Sequence, residues 1–252
     1  MLAPDVHRMI EQHEKCALLF SGGKDSLACL HLLRPFWPKL FVVWVNTQAV
    51  LPEQLNFMAS VAKLVPHFVE VDSNQPEHLA LFGLPSDVVP LRSTLLGTQI
   101  TQARPVNGVL VQSSVECCTA NLWYPAAIAL QKLGATLVIT GQRNDDKRKS
   151  LALHGAQAGG LTYCYPVRDW TAKQTVDFLT LIDVALPAYY TMGRHSLDCW
   201  SCTAYLDESA GRMRYLRENY PDKFQAVKSG IMAVLDAVKA ESMHMENLAN
   251  YE

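Results

Sequence analysis

The sequence predicts an α/β fold, a Rossmann-like parallel sheet with helices on both faces and a helical C-terminal extension. Three observations predict it. Short apolar runs alternate with helix-patterned segments. The first apolar run passes through a glycine turn directly into a helix, as at the carboxyl edge of a parallel sheet. The stretch beyond about Asp207 carries helical patterning, with a break near Pro221.

Taken in order, Cys16–Phe20 reads as a buried strand, Ser21-Gly22-Gly23 as a turn, and Asp25–Leu33 as a helix with Leu27, Leu30 and Leu33 at spacings of three. Leu40–Val45 is β-branched and aromatic, which suits a second strand ending at Asn46-Thr47. A helix follows over Glu53–Leu64, then a strand over Phe68–Val71. From Ser73 to Gln112, prolines and polar residues break the rhythm and predict a loop-rich insertion. The alternation resumes with a helix over Asn121–Leu133 and a strand over Thr136–Thr140 closed by Gly141. A polar loop to Gly160, a strand over Leu161–Tyr165, and a helix capped by Thr171 and running to Ile182 complete the pattern. The expected division is residues 1–206 as the α/β domain and 207–252 as the helical extension.

Composition bounds the function. Of the 252 residues, 49% are hydrophobic, enough to bury a core and too many for a disordered chain. A formal charge of -2 argues against broad electrostatic capture of nucleic acid, while leaving room for a local basic patch. Met1–Glu14 lacks a basic segment followed by an apolar one, and no 18-residue apolar run occurs, so the expectation is a cytoplasmic protein without a membrane span. There the seven cysteines would stay reduced, and metal ligation, catalysis or packing are their expected roles.

Ser21-Gly22-Gly23-Lys24-Asp25-Ser26 is a candidate phosphate cradle. The glycines allow backbone N–H groups to approach an anion, and the following helix points its positive end into the same space. Lys24 adds a charge, and the serines add hydroxyl donors. The spacing is not the Walker pattern. An ordinary Gly-Gly turn is the bland alternative. Asp25 is a hard oxygen ligand suited to Mg²⁺.

Cys117-Cys118 and Cys199-Trp200-Ser201-Cys202 together offer four thiolates, a complete shell for zinc or for a 4Fe–4S cluster. Neighbouring side chains diverge, which suits the separate corners of a cubane better than one tetrahedral ion. A redox disulfide and plain packing are the remaining readings. Cys16, Cys29 and Cys164 stand in apolar contexts and read as core.

The Ser21–Ser26 hexamer resembles the phosphate loop of the adenine-nucleotide α-hydrolases, or ATP pyrophosphatases, and the CC…CxxC layout resembles that of cluster-bearing adenylylsulfate reductases and of the sulfur-transfer proteins of DNA phosphorothioation. The resemblance extends to Asn46-Thr47-Gln48 with Pro52-Glu53, where those reductases have Asp-Thr-Gly and Pro-Glu; to Thr140-Gly141-Gln142-Arg143, a Thr-Gly-x-Arg loop; to Tyr165–Thr171; and to Leu186–Tyr190, Gly193, Ser196 and Cys199–Thr203. It implies a nucleotide site built from Ser21, Gly22, Gly23, Lys24, Asp25, Ser26, Asn46, Thr47, Gly141 and Arg143, with Lys24, Asp25 and Arg143 as catalytic residues. It implies a 4Fe–4S cluster on Cys117, Cys118, Cys199 and Cys202. Lys147-Arg148-Lys149 would add charge-assisted contacts or simply line a solvated loop. Trp170 reads as core, and Asp169 with Thr171 as a helix cap.

Two departures shape the expected activity. The chain shows no cysteine after Cys202, where sulfonucleotide reductases carry a nucleophile in a Glu-Cys-Gly motif, and its phosphate loop is the intact form of enzymes that split ATP. The basic pair that commonly follows the double cysteine is replaced by Thr119-Ala120-Asn121-Leu122-Trp123. The leading expectation is ATP-dependent adenylation with release of pyrophosphate, coupled to sulfur transfer, with Mg²⁺ and a sulfur- or electron-donor protein. The alternatives are reduction of adenylylsulfate or its 3′-phosphorylated form to sulfite, and a non-catalytic nucleotide-sensing protein. A nucleic-acid acceptor and a homo-oligomer stay open.

Overall fold

The computed structural model describes residues 2–150, 152–187, 190 and 199–251. Gly193 and Ser196 lie outside the described residues. The chain forms two compact units. The first comprises Met1–Asn46, Leu51–Asp72 and Tyr124–Ala188; the second comprises Thr47–Val50, Ser73–Trp123 and Tyr189–Glu252.

The first unit holds helix α1 (Pro4–Glu11), strand β1 (Cys16–Leu19), α2 (Lys24–Leu32), β2 (Leu40–Asn46), α3 (Pro52–Leu64) and β3 (Phe68–Asp72). Its sheet is completed by β6 (Leu137–Ile139), β7 (Gln157–Ala158) and β8 (Leu161–Cys164), in the order β3-β2-β1-β6-β8-β7. All pairings are parallel except that of the short β7 with β8. Consecutive residues of β1 and β6 are buried, so both faces of the sheet centre are covered. Ala17, Val43 and Val138 pack with Ala129 and Leu130 of helix α7 (Tyr124–Leu133). Helix α2 is buried at five consecutive positions, Ser26–Leu30, and packs against α8 (Ala172–Leu181). The Thr171–Gln174 capping box starts α8 as the sequence predicts, whereas Asp169 pairs with Arg168 and Asn144 instead of capping. Trp170 is half-buried, edge-on to Phe178.

The second unit overturns the loop-rich expectation for Ser73–Gln112. That stretch contains α4 (Gln75–Phe82), β4 (Leu84–Ser86) and α5 (Leu95–Thr101), and β5 (Val111–Ser113) begins at its end; β4 and β5 form a parallel pair. Several of the polar residues and one proline there mark helix starts, while Pro85 lies within β4: Pro76 sits in the first turn of α4, Asn74 caps it by accepting from the Glu77 N–H, and Thr94 caps α5. The helix expected from Asn121 also begins earlier, as α6 (Ser114–Cys118), with a Ser113–Glu116 capping box. Residues Thr119–Trp123 then widen into a π-turn. Pro125 follows, with no N–H to give to the helical ladder, a common setting for such a bulge. Helices α9 (Ala210–Asn219) and α10 (Pro221–Ala249) break at Pro221 as predicted. Val234 and Ala237 of α10 pack on Val111 of β5. No described helix is long and apolar enough to cross a membrane.

Candidate functional site

The first unit carries the phosphate loop. In its parallel order the chain runs outward from β1 through β2 to β3, and on the other side through β6 to β8. The order therefore reverses between β1 and β6, and ligands of open α/β sheets bind at such a switch point, outside the strand carboxyl ends. Residues 20–23 leave β1 there, and residues 140–143 leave β6. Gly22 has φ +77°, the left-handed region that glycine adopts without strain. The Ser21 hydroxyl accepts the Gly23 N–H at 3.3 Å, and the Ser26 hydroxyl donates to the Gly23 carbonyl at 2.9 Å. These bonds shape the turn that opens α2. A Cβ on Gly141 would lie 2.7 Å from the Asp25 carbonyl carbon and from the Ser26 nitrogen, so the two loops meet backbone to backbone.

This closeness organises the charges. Asp25 pairs with the Lys24 ammonium and, at 3.1 Å, with Arg143 Nε. The Arg143 guanidinium also reaches Asp145 at 3.0 Å and Asp146 at 2.7 Å, while the Asp146 carboxylate accepts the Arg143 N–H at 2.8 Å. Arg143 is only 8% exposed, so its geometry is set by these partners. Two cations thus face three carboxylates. Asp145 and Asp146 escaped the sequence reading, although Arg143-Asn144-Asp145-Asp146 holds the signal. Asn46 is buried at the end of β2 and donates to Glu70 at 2.7 Å. Lys147, Arg148 and Lys149 are exposed.

The second unit carries all four candidate ligand cysteines. Cys117 and Cys118 lie on α6, where adjacent positions differ by about 100° around the axis. Their sulfurs accordingly face different neighbours. Cys117 is buried, with Gln75 Nε2 at 4.0 Å and Asn121 Nδ2 at 3.8 Å from its sulfur. Cys118 Sγ lies 3.0 Å from the Tyr205 hydroxyl. The Cys202 N–H donates to the Cys199 carbonyl at 3.2 Å, closing the CxxC turn. Ser201 donates to the Gln75 amide oxygen at 2.7 Å, so Gln75 contacts both cysteine segments. Cys199 donates to the hydroxyl of Thr47, a residue the sequence had placed in the nucleotide site. Burial, together with the neighbouring Cys118 and Cys202 thiols, pushes the Cys117 pKa up to about 12. As they stand, no three His, Cys, Asp or Glu side chains among the described residues are grouped to hold a metal ion. Cys16, Cys29 and Cys164 are buried and free, as core cysteines should be.

A family comparison decides the broader relationship. The phosphoadenosine phosphosulfate reductase domain matches residues 15–205. The chain belongs to that family. Among curated relatives of this family member is the phosphoadenosine 5′-phosphosulfate reductase of a Synechocystis strain, 23% identical over 181 residues, which are 71% of this chain and 66% of the relative. Solved structures similar to it include a phosphoadenylyl-sulfate reductase from Candida auris in a phosphate complex, with TM-score 0.47, 16% identity, and coverage of 73% of this chain and 80% of that one. Another is the U34-tRNA thiolase NcsA from Methanococcus maripaludis with its [4Fe-4S] cluster, with TM-score 0.47, 13% identity, and coverage of 92% and 79%.

Proposed function

We propose that this family member is an ATP-dependent adenylating enzyme of sulfur transfer, forming AMP and pyrophosphate, with residues 1–206 as its nucleotide-binding and cluster-bearing part and 207–252 as a helical extension. The observation that carries the reading is the charge arrangement at the phosphate loop. Lys24 and Arg143 are held by Asp25, and Asp145 and Asp146 also pair with Arg143. An anionic nucleotide arriving alone would have to displace these carboxylates from their cations. A nucleotide carrying Mg²⁺ offers both sides a partner: its phosphates draw on Lys24 and Arg143, and Asp25 becomes available to the metal. That exchange suits a magnesium–triphosphate better than a metal-free sulfonucleotide.

The Ser21–Ser26 loop, Asn46 and Gly141 then bind the nucleotide. Lys24 and Arg143 stabilise charge as an acceptor oxygen attacks the α-phosphorus. The bond to the β-phosphate oxygen breaks, and pyrophosphate leaves with the electron pair while the acceptor loses its proton, which puts AMP on the acceptor oxygen as the leaving group that the donor's sulfur nucleophile displaces. The four thiols suit a 4Fe–4S cluster in kind, four soft donors within one unit, and their side chains would have to turn toward one another to hold it. Cys117, Cys118, Cys199 and Cys202 would hold it, and when bound it would supply electrons or handle sulfur. The test is anaerobic reconstitution followed by a pyrophosphate-release assay with RNA, DNA and small-molecule acceptors. Absence of release with all of them defeats adenylation. Family membership favours a second reading, reduction of a sulfonucleotide to sulfite, and sulfite formation with a thiol donor would establish it instead.

A further inference from the structure

Two side chains beside the thiols have features that loop packing does not explain. Tyr205 has φ +62°, a left-handed conformation that is unfavourable for an aromatic residue. It is held there by its neighbours. The Ser209 hydroxyl donates to its carbonyl at 2.8 Å, the Glu208 N–H does so at 3.0 Å, and the next N–H, of Leu206, donates to Asp87 at 3.0 Å. The strained backbone aims the phenol at Cys118 Sγ, 3.0 Å away. A thiolate can only accept, so once Cys118 is ionised Tyr205 is the donor. Strain retained by surrounding bonds is a recurrent mark of function.

Arg212 is 8% exposed. Its guanidinium donates to the Cys199 carbonyl at 3.3 Å, the Ala204 carbonyl at 3.5 Å and the Ser209 hydroxyl at 2.8 Å, and its Nε has no hydrogen-bond partner among the described residues. No carboxylate among the described residues pairs with it. A cation buried without an anion is unfavourable, and such groups are normally paired. A cluster ligated by four thiolates is an anion in every common oxidation state.

We infer that Tyr205 and Arg212 form the outer shell of the thiol site and set the reduction potential of the cluster. This rests on the cluster reading above. Reduction adds an electron to a centre already negative, so a hydrogen bond to a ligand sulfur and a buried cation nearby both favour the reduced form. Both are positioning residues, touching the ligands rather than a substrate.

The experiment is anaerobic reconstitution of the full chain and of the Tyr205→Phe, Arg212→Met and Arg212→Lys variants. Iron and sulfide are counted, and the midpoint potential is measured by titration followed by electron paramagnetic resonance. Tyr205→Phe and Arg212→Met should keep their iron and shift to a more negative potential, with Arg212→Lys restoring most of the shift. Should Arg212→Met fail to fold, Tyr205→Phe decides, since it removes one oxygen. Iron-loaded variants with the wild-type potential overturn this inference alone. A wild-type chain that takes up no iron overturns the cluster reading and this inference with it.

Discussion

Replacing Gly141 by alanine tests whether the phosphate loop and the loop after β6 are one structure. Gly141 needs no left-handed backbone, so space alone opposes a side chain. The added Cβ would stand 2.7 Å from the Asp25 carbonyl carbon and the Ser26 nitrogen, and 2.9 Å from the Asp25 Cβ. Two of these are main-chain atoms in the first turn of α2, which cannot swing aside as a flexible side-chain tip does. Ordinary contact begins near 3.4 Å, so the loops must part by about 0.7 Å. Overpacking of this kind costs about 1–3 kcal/mol. At roughly 2–4 °C per kcal/mol for a protein of this size, Tm should fall by about 2–12 °C. The same displacement separates Arg143 from Asp25, now 3.1 Å apart, and moves the loop N–H groups off the phosphates. Nucleotide affinity should drop by on the order of tenfold to a hundredfold, as misplacements near 1 Å do in catalysis. Gly155→Ala is the control. That glycine has φ +80° with nothing within 4 Å of a Cβ, so alanine there meets backbone strain of about 1–2 kcal/mol and no clash. Thermal melts and calorimetric titration with ATP and Mg²⁺ separate the two. Gly155→Ala should lose stability and keep its affinity, and Gly141→Ala should lose both. A Gly141→Ala protein that melts and binds nucleotide like wild type would refute the backbone-to-backbone argument.

Asp25→Asn should abolish the gain in nucleotide affinity on adding Mg²⁺ while leaving metal-free binding equal or tighter, because Lys24 and Arg143 each lose a carboxylate that competes with the phosphates; titrations with and without Mg²⁺ read this directly. Ser113→Ala removes half of the capping box that starts the helix of Cys117 and Cys118, and should lower stability by about 1 kcal/mol in a urea melt. Burial raises the Cys16 pKa to about 11 and those of Cys117 and Cys164 to about 12. A group with a raised folded pKa keeps its full stability below the unfolded value, near 8.5, and loses it as pH climbs toward the folded value. The metal-free, reduced protein should therefore weaken between about pH 9 and pH 11, by up to about 1.4 kcal/mol per pH unit for each such thiol. Urea midpoints across that range check it, and Cys164→Ala should flatten the slope.

Legibility followed the range of the interactions. The strands β1, β2 and β6 were readable as short apolar runs covered on both faces, and β3 and β8 as short runs of β-branched and aromatic residues despite their partial exposure. The Thr171 and Pro221 boundaries were readable because caps and proline act on their own turn. The Ser73–Gln112 stretch was misread because a proline looks alike at a helix start and in a loop; the Asn74 and Thr94 caps distinguish them only when the next turn forms. The two-residue β7 is too short for any pattern, and its pairing with β8 makes it a strand.

The amino-acid sequence by itself determined the chemistry on offer: a glycine-flanked lysine and aspartate after a buried strand, and four thiols in two pairs. These are properties of residue type and local spacing, which the chain carries before it folds. Only the tertiary structure decided what meets what. It brought Gly141 and Arg143 against Asp25, moved Thr47 beside Cys199, and set Tyr205 and Arg212 against the thiol segments. The longest of those contacts join residues more than a hundred positions apart, brought together by the burial of distant strands and helices, and no local pattern encodes such pairings.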